Sequence, residues 1–549
     1  MAVSCSASSL IPAEINPLGL QTLLDLLQYA AETFAERPAY TSLGRSITYR
    51  ELDQLSAAFA CYLQNETDLQ PGDRIAIQLP NLIQYPIVLF GALRAGLVVV
   101  NTNPLYTPSE MLHQFNDSGA VALVILKGLA HQVETIYPQT RLRYLIVTQV
   151  ADLHGVLKRT LINGAVKYLK KMEPAYDLPQ AMELRACLAR YTGLAPKPVL
   201  LNSGDTAVLQ YTGGTTGVAK GAVLSHANLI ANILQVENAL KPAASHWPDT
   251  VIAPLPLYHI YAFTCSQLVL LNGGHNVLIP NPRDLPSLIK VMAKFQATSF
   301  LGLNTLFMGL CHQPAFARLD FSRLELTISG GMALTHKAEE QWRAITGCRI
   351  VEGYGLSETS PVVTLNPPDA PHIGSIGKSL CCTDVKLIGH EGESVPAGEA
   401  GMLCVKGPQV MSGYWQQQQA TSEVFTQDGY LITGDIASID DEGYLHLLDR
   451  AKDLIIVSGF NVYPSEVEDV VTSHPDVVEC AVVGQPDECC GEVVRLCVVS
   501  SNPALEAADL QSWCRTHLAA YKVPKRIDFF SELPKTPVGK VLRRALRAM

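Results

Sequence analysis

The 549-residue sequence has no CxxC pair. Its 14 cysteines are scattered, and the adjacent pairs Cys381-Cys382 and Cys489-Cys490 have neither zinc-ligand nor disulfide-framework spacing. Reduced thiols packed as small hydrophobes are expected instead. No Lys or Arg precedes Arg37, and Pro12 and Glu14 interrupt the start, so the charged region and apolar run of a secretory signal are missing. No run of 18 apolar residues occurs. The longest candidate, residues 87–100, is broken by Arg94 and is too short to cross a bilayer. Positive charge is in deficit: 41 basic against 51 acidic residues gives −10, which argues against nucleic acid as the main partner. Short tandem repeats are also absent. These absences point to a cytoplasmic protein, with at most peripheral contact on the inner membrane face.

The chain is too long for one core, and its 48% hydrophobic and 17% charged residues read as globular. Residues 22–35 have helical periodicity. Ser46-Ile47-Thr48-Tyr49 reads as a strand before a helix from Glu51, residues 73–79 as a buried strand, residues 87–95 as a helix and residues 96–100 as a strand. The same alternation recurs over residues 251–330, which predicts parallel α/β layers. After about Cys381, Gly-Glu-Asp turns separate short strands such as residues 402–406 and 444–448, as in a β-rich subdomain. Beyond Arg450 the pattern is strand, helix, strand, helix, a unit of about 100 residues.

The strongest local signal is Tyr211-Thr212-Gly213-Gly214-Thr215-Thr216-Gly217-Val218-Ala219-Lys220-Gly221, which follows the apolar run Ala207-Val208-Leu209-Gln210. Glycines let a backbone approach phosphates closely, threonine hydroxyls and amides donate to phosphate oxygens, and Lys220 adds charge. It is not a Walker A loop: counted from Gly213, the second glycine would fall at Val218, and Lys220 precedes Gly221 rather than Ser or Thr.

This loop resembles the signature of the adenylate-forming superfamily, which includes acyl-CoA synthetases, peptide-synthetase adenylation domains and beetle luciferase. Further signatures follow in the family's order: Pro256-Leu257-Tyr258-His259, Ser329-Gly330-Gly331-Met332, Glu352-Gly353-Tyr354-Gly355-Leu356-Ser357-Glu358-Thr359, Thr433-Gly434-Asp435, Asp449-Arg450-Ala451-Lys452-Asp453 and Pro537-Val538-Gly539-Lys540. Their wording is most similar to bacterial long-chain fatty-acid–CoA ligases. The resemblance implies an α/β fold with a large N-terminal domain over 1–449, β-rich near 380–449, and a small mobile α+β domain over 450–549.

It also implies the substrates fatty acid, ATP and CoA, with Mg²⁺ as cofactor. Thr212, Gly213, Gly214, Thr215, Thr216, Gly217 and Lys220 would hold phosphates. Gly330, Gly331, Met332, Glu352, Gly353, Tyr354, Gly355 and Ser357 would line the nucleotide site, with Tyr354 stacked on adenine. The family usually has Thr where Ser357 stands, and the hydroxyl is retained. Thr212 and Glu358 would hold the metal, since a hard cation takes oxygen ligands. Asp435 would accept from the ribose hydroxyls, and Arg450 would reach the ribose or phosphates. Lys540 would be the catalytic cation, steadying charge as the fatty carboxylate attacks the α-phosphorus.

A turn about the hinge residue Lys452 would then replace Lys540 with Ser458, Gly459 and Phe460 for CoA. His259 is the family's aromatic-or-His position near the acyl carboxylate; a purely structural histidine is the alternative. The acyl tail would run past Gly302 and Gly330. A small Gly302 would keep the tunnel open, so that Gly302→Trp shortens the preferred chain. The three arginines after Lys540 read, on their own, as a basic tail.

Residues 156–172 form a basic amphipathic segment. Leu157, Leu161, Ile162, Ala165, Val166 and Leu169 share one helical face, Arg159, Lys167, Lys170 and Lys171 lie opposite, and Lys158 breaks the pattern. Such a face either packs on its own domain or meets a membrane. A homodimer is compatible with the sequence. Competing functions are an aryl- or medium-chain CoA ligase, a fatty-acyl-AMP ligase, a luciferase-like oxidase, and a non-catalytic binding protein. The last predicts loss of Glu358, Asp435 or Lys540, and all three are present.

Overall fold

Capping boxes set the helix starts. The Thr48 hydroxyl accepts from Glu51 N at 3.1 Å, and Glu51 Oε2 accepts from Thr48 N at 3.0 Å. The helix expected from Glu51 therefore begins at Tyr49 and runs to Glu66, with Glu51 as its third residue. Thr22 caps Leu23–Thr33 in the same way. The computed structural model describes residues 12–212, 219–241, 249–389, 391–396, 398–458, 460–487, 491–535 and 541–549. The expected site residues Gly213, Gly214, Thr215, Thr216, Gly217, Gly459 and Lys540 lie outside them.

Near-continuous apolar strands, joined by helices, build two large sheets that are parallel except near their edges. The first has seven strands in the order Met182–Glu183, Tyr144–Thr148, Ala120–Leu126, Arg74–Gln78, Val98–Asn101, Thr206–Thr212, Lys220–Ser225. The last of these returns antiparallel, pairing Thr212 with Lys220. The second has nine strands. Its parallel centre runs Pro38–Ser42, His275–Leu278, Thr250–Ala253, Ser299–Gly302, Leu326–Ser329, Ile350–Gly355, and antiparallel strands flank both ends.

Buried amides stitch the two sheets together. Asn81 Nδ2 donates to Ala253 O (3.1 Å) and Leu255 O (2.8 Å), its Oδ1 accepts from Leu257 N, and Gln210 Nε2 donates to Tyr258 O at 3.1 Å. An aromatic cluster fills the far face of the second sheet: the Trp342 ring lies 4.9 Å from Phe307, 5.2 Å from Phe300 and 5.3 Å from Phe316, and its Nε1 donates to Thr327 Oγ1.

A third, antiparallel sheet comprises Asp384–Ile388, Gly401–Lys406, Leu431–Ile439 and Leu445–Arg450. A fourth begins five residues after Arg450, at Ile455, and has its own apolar core around Val467, Val482, Leu496 and Leu510. Its order departs from the simple alternation expected. A hairpin, Ile455–Val457 with Phe460–Val462, precedes helix Pro464–Thr472. The long hairpin Val477–Asp487 with Gly491–Ser500 follows, then helix Ala507–His517, strand Arg526–Phe529 and helix Arg543–Ala548. Short polar turns allow hairpins where the sequence pattern alone suggested single strands.

The basic amphipathic segment is helical as expected, α-helical over Val156–Gly164 and π-helical over Ala165–Leu169. Its inward side is polar. Buried Asn163 accepts from Ala151 N at 3.0 Å and donates to Asp152 and Gln149. Leu157, Leu161, Tyr168 and Leu169 face solvent, the last 81% exposed.

Trp342→Ala is expected to lower the unfolding free energy by about 3–5 kcal/mol, as for other fully buried aromatic truncations. Chemical denaturation should show it as a lower midpoint at unchanged slope.

Candidate active site

The site residues collect at the carboxyl ends of the parallel strands, where α/β sheets leave a crevice. Gly302 ends one strand, Gly330 and Gly331 follow Leu326–Ser329, Tyr354 and Gly355 end Ile350–Gly355, and Glu358 sits in the short helix Ser357–Thr359 just beyond. Thr212 ends its strand in the first sheet, and Lys220 begins the antiparallel return. Gly331 needs its glycine, since its φ of +81° is left-handed. At Gly330 a Cβ would stand 3.3 Å from Tyr261 Cζ and 3.5 Å from Gly353 O, so the backbone there forms one wall of a narrow slot.

Glu358 is half-buried. Its Oε1 accepts from Tyr414 OH at 2.8 Å, and its backbone oxygen accepts from Met411 N. Lys220 Nζ lies 5.2 Å from the centroid of the same Tyr414 ring, within cation–π range. Tyr414 thus joins the carboxylate to the ammonium, and burial with the Glu358 charge pushes its phenol well above the ordinary range. The loop is tied from behind by buried Thr359, whose hydroxyl accepts from Leu356 N at 2.9 Å. Carboxylate and threonine hydroxyl are hard oxygen donors, so Glu358 and Thr212 fit a magnesium ion. Among the described residues no cluster of three or more His, Cys, Asp or Glu forms a self-contained metal cage. A bound ion there would draw further oxygens from substrate or water.

The third sheet closes the crevice. Asp435 and Arg450 are cross-strand partners, and Arg450 Nε meets Asp435 Oδ1 at 3.1 Å. Asp435 Oδ2 accepts from Tyr354 OH at 2.6 Å. Asp435 is 2% exposed and Tyr354 is buried, which pushes the phenol up and keeps it a donor. Glu352 is buried beside them; its Oε1 accepts from Leu334 N at 3.0 Å. Burial pushes its carboxyl up to about 8, and the charge of Asp469 on helix Pro464–Thr472 adds to this against the Leu334 amide.

Other expected residues lie apart. His259 caps helix Ile260–Leu271, with Nδ1 accepting from Tyr261 N at 3.4 Å. Gly302 does not border open space: a Cβ would fall 2.5 Å from Phe307 Cε1 and 3.0 Å from Phe300 Cε1. The small residue fits the aromatic cluster, so a bulky side chain there would disrupt packing before it met an acyl chain. Lys452 is exposed, in the connection between the third and fourth sheets, where desolvation and then Arg450 pull its ammonium down. Ser458, at φ +50°, and Phe460 occupy the first hairpin of the fourth sheet. Phe460 stacks on Tyr521 at 4.9 Å and stays 58% exposed.

A family model for AMP-binding enzymes matches residues 27–415, and one for the AMP-binding enzyme C-terminal domain matches residues 466–540. The chain belongs to the AMP-binding enzyme family. It is 49% identical to a long-chain-fatty-acid–CoA ligase of Salmonella typhimurium over 540 residues, covering 98% of this chain and 96% of the relative. A protein of that name from Escherichia coli O6:H1 is 48% identical over the same lengths. An ATP-bound structure of MatB from Rhodopseudomonas palustris matches at TM-score 0.78 and 29% identity, over 95% of this chain and 98% of that one. An anthranilate CoA ligase in complex with anthranoyl-AMP matches in fold at TM-score 0.86 and 23% identity, over 98% of both chains.

Among family members, a phosphate loop and a Glu-containing motif are legible in sequence. Tyr414 was not, because Ser412-Gly413-Tyr414-Trp415 carries no chemistry until Gly413 O accepts from Val223 N and seats the loop beside the strand Lys220–Ser225. Tyr261, behind Gly330, was missed for the same reason. The arginines after Lys540 are only partly a solvated tail: Arg544 and Arg547 are exposed, but Arg543 is largely buried among Asp449, Asp453 and Glu468.

Because the Glu352 carboxyl is raised on folding, the stability it contributes is complete below its unfolded value and is lost as pH rises through about 8. Glu352→Gln, which mimics the neutral form, should flatten the fall in melting temperature above pH 6 or so and exceed wild type by a few degrees on the alkaline side. Calorimetry across pH checks it.

Proposed function

We propose that this chain is an AMP-forming long-chain fatty-acid–CoA ligase, as its relatives in Salmonella typhimurium and Escherichia coli are named. The observation that carries this reading is the crevice itself. It gathers Thr212 beside Lys220, with Lys220 and Glu358 joined by Tyr414, a group suited to phosphate, and Asp435 with Arg450 and Tyr354, a group suited to a sugar. A fatty carboxylate attacks the α-phosphorus of ATP and pyrophosphate leaves. The CoA thiol then attacks the acyl carbonyl, AMP leaves and a thioester remains.

Lys220 and Lys540 balance phosphate charge. Asp435, with both oxygens already engaged, keeps acceptor capacity for ribose hydroxyls. A magnesium ion held by Glu358 and Thr212 would supply charge neutralisation for the phosphates. Tyr354, with its hydroxyl fixed on Asp435, offers its ring to the base, and Gly330 gives it a flat backbone wall. Lys452 is the hinge about which residues 453–549 turn, exchanging Lys540 for the hairpin with Ser458, Gly459 and Phe460. His259 sets the start of helix Ile260–Leu271 and would meet the acyl carboxylate.

The exposed segment 156–172 supports a second element of the reading, capture of fatty acid at a membrane surface. Between Val156 and Met172 the sequence carries five cations, Lys158, Arg159, Lys167, Lys170 and Lys171, and no acid, on a chain of net charge −10. Leucines and lysines share the solvent side because buried Asn163 occupies the inner one. An apolar and cationic surface complements an anionic bilayer. Among the described residues no helix is long and apolar enough to cross one.

Incubated with Mg²⁺-ATP, CoA and palmitate, octanoate or ferulate, the protein should form palmitoyl-CoA, AMP and pyrophosphate in equal amounts. Acyl-AMP without thioester would favour an acyl-AMP ligase, and preference for ferulate an aryl ligase. Glu358→Gln should slow AMP formation by roughly a hundredfold or more at unchanged fold. Sedimentation with vesicles should recover the wild type on phosphatidylglycerol and not on phosphatidylcholine. The double variant Leu161→Asp, Leu169→Asp should stay in the supernatant with its activity on dispersed palmitate retained.

A further inference from the structure

The carboxylate of Asp449 is the point at which the large body grips the small one. Its strand, Leu445–Arg450, is held in the third sheet, with Asp449 paired to Ile436. The residue is 4% exposed, and both oxygens are occupied. Oδ2 accepts from Ser465 N at 2.8 Å and Ser465 Oγ at 2.9 Å; Oδ1 accepts from Arg450 N at 2.7 Å and Arg543 Nη1 at 3.1 Å. Three of these four donors belong to residues beyond Lys452: Ser465 in the first turn of Pro464–Thr472, and Arg543 at the start of the last helix.

The remaining contacts of that cluster lie on one side of Lys452. Arg543 grips Glu468 through Nη2 at 2.9 and 2.7 Å and reaches Asp453 at 3.5 Å, while Arg547 meets Asp453 at 2.8 Å. In a turn about residue 452, Asp453, Glu468, Arg543 and Arg547 travel together, and Asp449 stays behind. Separating them leaves a carboxylate without its charged partner, a costly state while it remains buried. Lys337 Nζ on Val477 O at 3.3 Å is a second, weaker tie across the same junction.

We infer that Asp449 is a positioning residue that latches the small unit in the orientation seen here, and that breaking its bonds to Ser465 and Arg543 is the step that frees the unit to turn. The inference rests on the proposed ligase reading and its hinge at Lys452. The orientation is one in which the hairpin bearing Phe460 faces solvent, so it serves adenylation rather than thiol transfer.

Asp449→Asn keeps the shape and removes the charge. Two half-reactions are measured: palmitate-dependent ATP–pyrophosphate exchange, and single-turnover transfer from added palmitoyl-AMP to CoA. Trypsin nicking after Lys452 reports the junction without any activity. The latch predicts that exchange falls roughly tenfold or more, that transfer holds or rises, and that nicking quickens several-fold. Equal losses in both half-reactions, or nicking at the wild-type rate, would overturn it. Ser465→Ala, which removes one neutral donor, should move all three readouts the same way by less, and keeps the test open should Asp449→Asn fold poorly. A wild type inactive in both half-reactions refutes the ligase reading instead, and nicking alone then decides the latch.

Discussion

A carboxylate taken out of water must be met by donors, and the arrangement of this protein turns on two such carboxylates on neighbouring strands. Asp435 and Asp449 are 2% and 4% exposed, and neither is left short of partners. The register of the third sheet pairs Asp435 with Arg450 and Ile436 with Asp449. Successive residues of a strand point to opposite faces, so Arg450 turns to the crevice while Asp449 turns to the small unit. One dipeptide therefore serves the nucleotide side and the junction side together. A shift of one residue in that register would exchange the two faces and abolish both functions.

The same logic explains why the crevice is polar yet ordered. Asn81 and Gln210 bridge the two parallel sheets with amide hydrogen bonds, and Asn101 Nδ2, a neighbour within the first sheet, holds Gln210 Oε1 at 3.0 Å. Apolar contacts alone would leave the sheets free to slide, whereas satisfied buried amides admit one register. On the phosphate side Thr212 and Lys220 come from the first sheet and Glu358 from the turn after the second, and the sugar-side residues come from the second and third. The site exists only because these bridges hold the sheets in place.

Much of this was legible in sequence, and the failures have physical causes. The apolar strands of both parallel sheets were readable because burial on two faces forces continuous apolar runs. Thr48 and Glu51 announced a helix start, although the expected start fell two residues late, since Glu51 is the third residue of the helix. Gly302 misled, because a small residue in an apolar run fits an open tunnel or a crowded ring equally well, and only the positions of Phe300 and Phe307 separate the two. The segment 156–172 misled in part: its apolar periodicity is real, but Asn163, one polar residue with three hydrogen-bonding neighbours, decides which face turns inward. Tyr414 and Arg543 were unreadable because each acts through partners more than 50 residues away in sequence.

The two steps of the proposed reaction make opposite demands on one crevice. Adenylation needs positive charge near phosphates and little water, whereas thiol transfer needs a path for a long ligand to the acyl carbonyl. A single rigid wall cannot supply both, so the wall must be exchangeable, and what makes exchange practicable is how it is attached. The fourth sheet carries its own core and keeps its internal ion pairs whichever way it faces. Among the described residues, its hydrogen bonds to the large body gather at Asp449 and at Lys337. Apolar burial is lost gradually and non-directionally as surfaces separate, whereas a few directional bonds to a buried carboxylate break over a fraction of an ångström. A junction built in this way has two definite states rather than a continuum, and that is the property a two-step enzyme requires of its hinge.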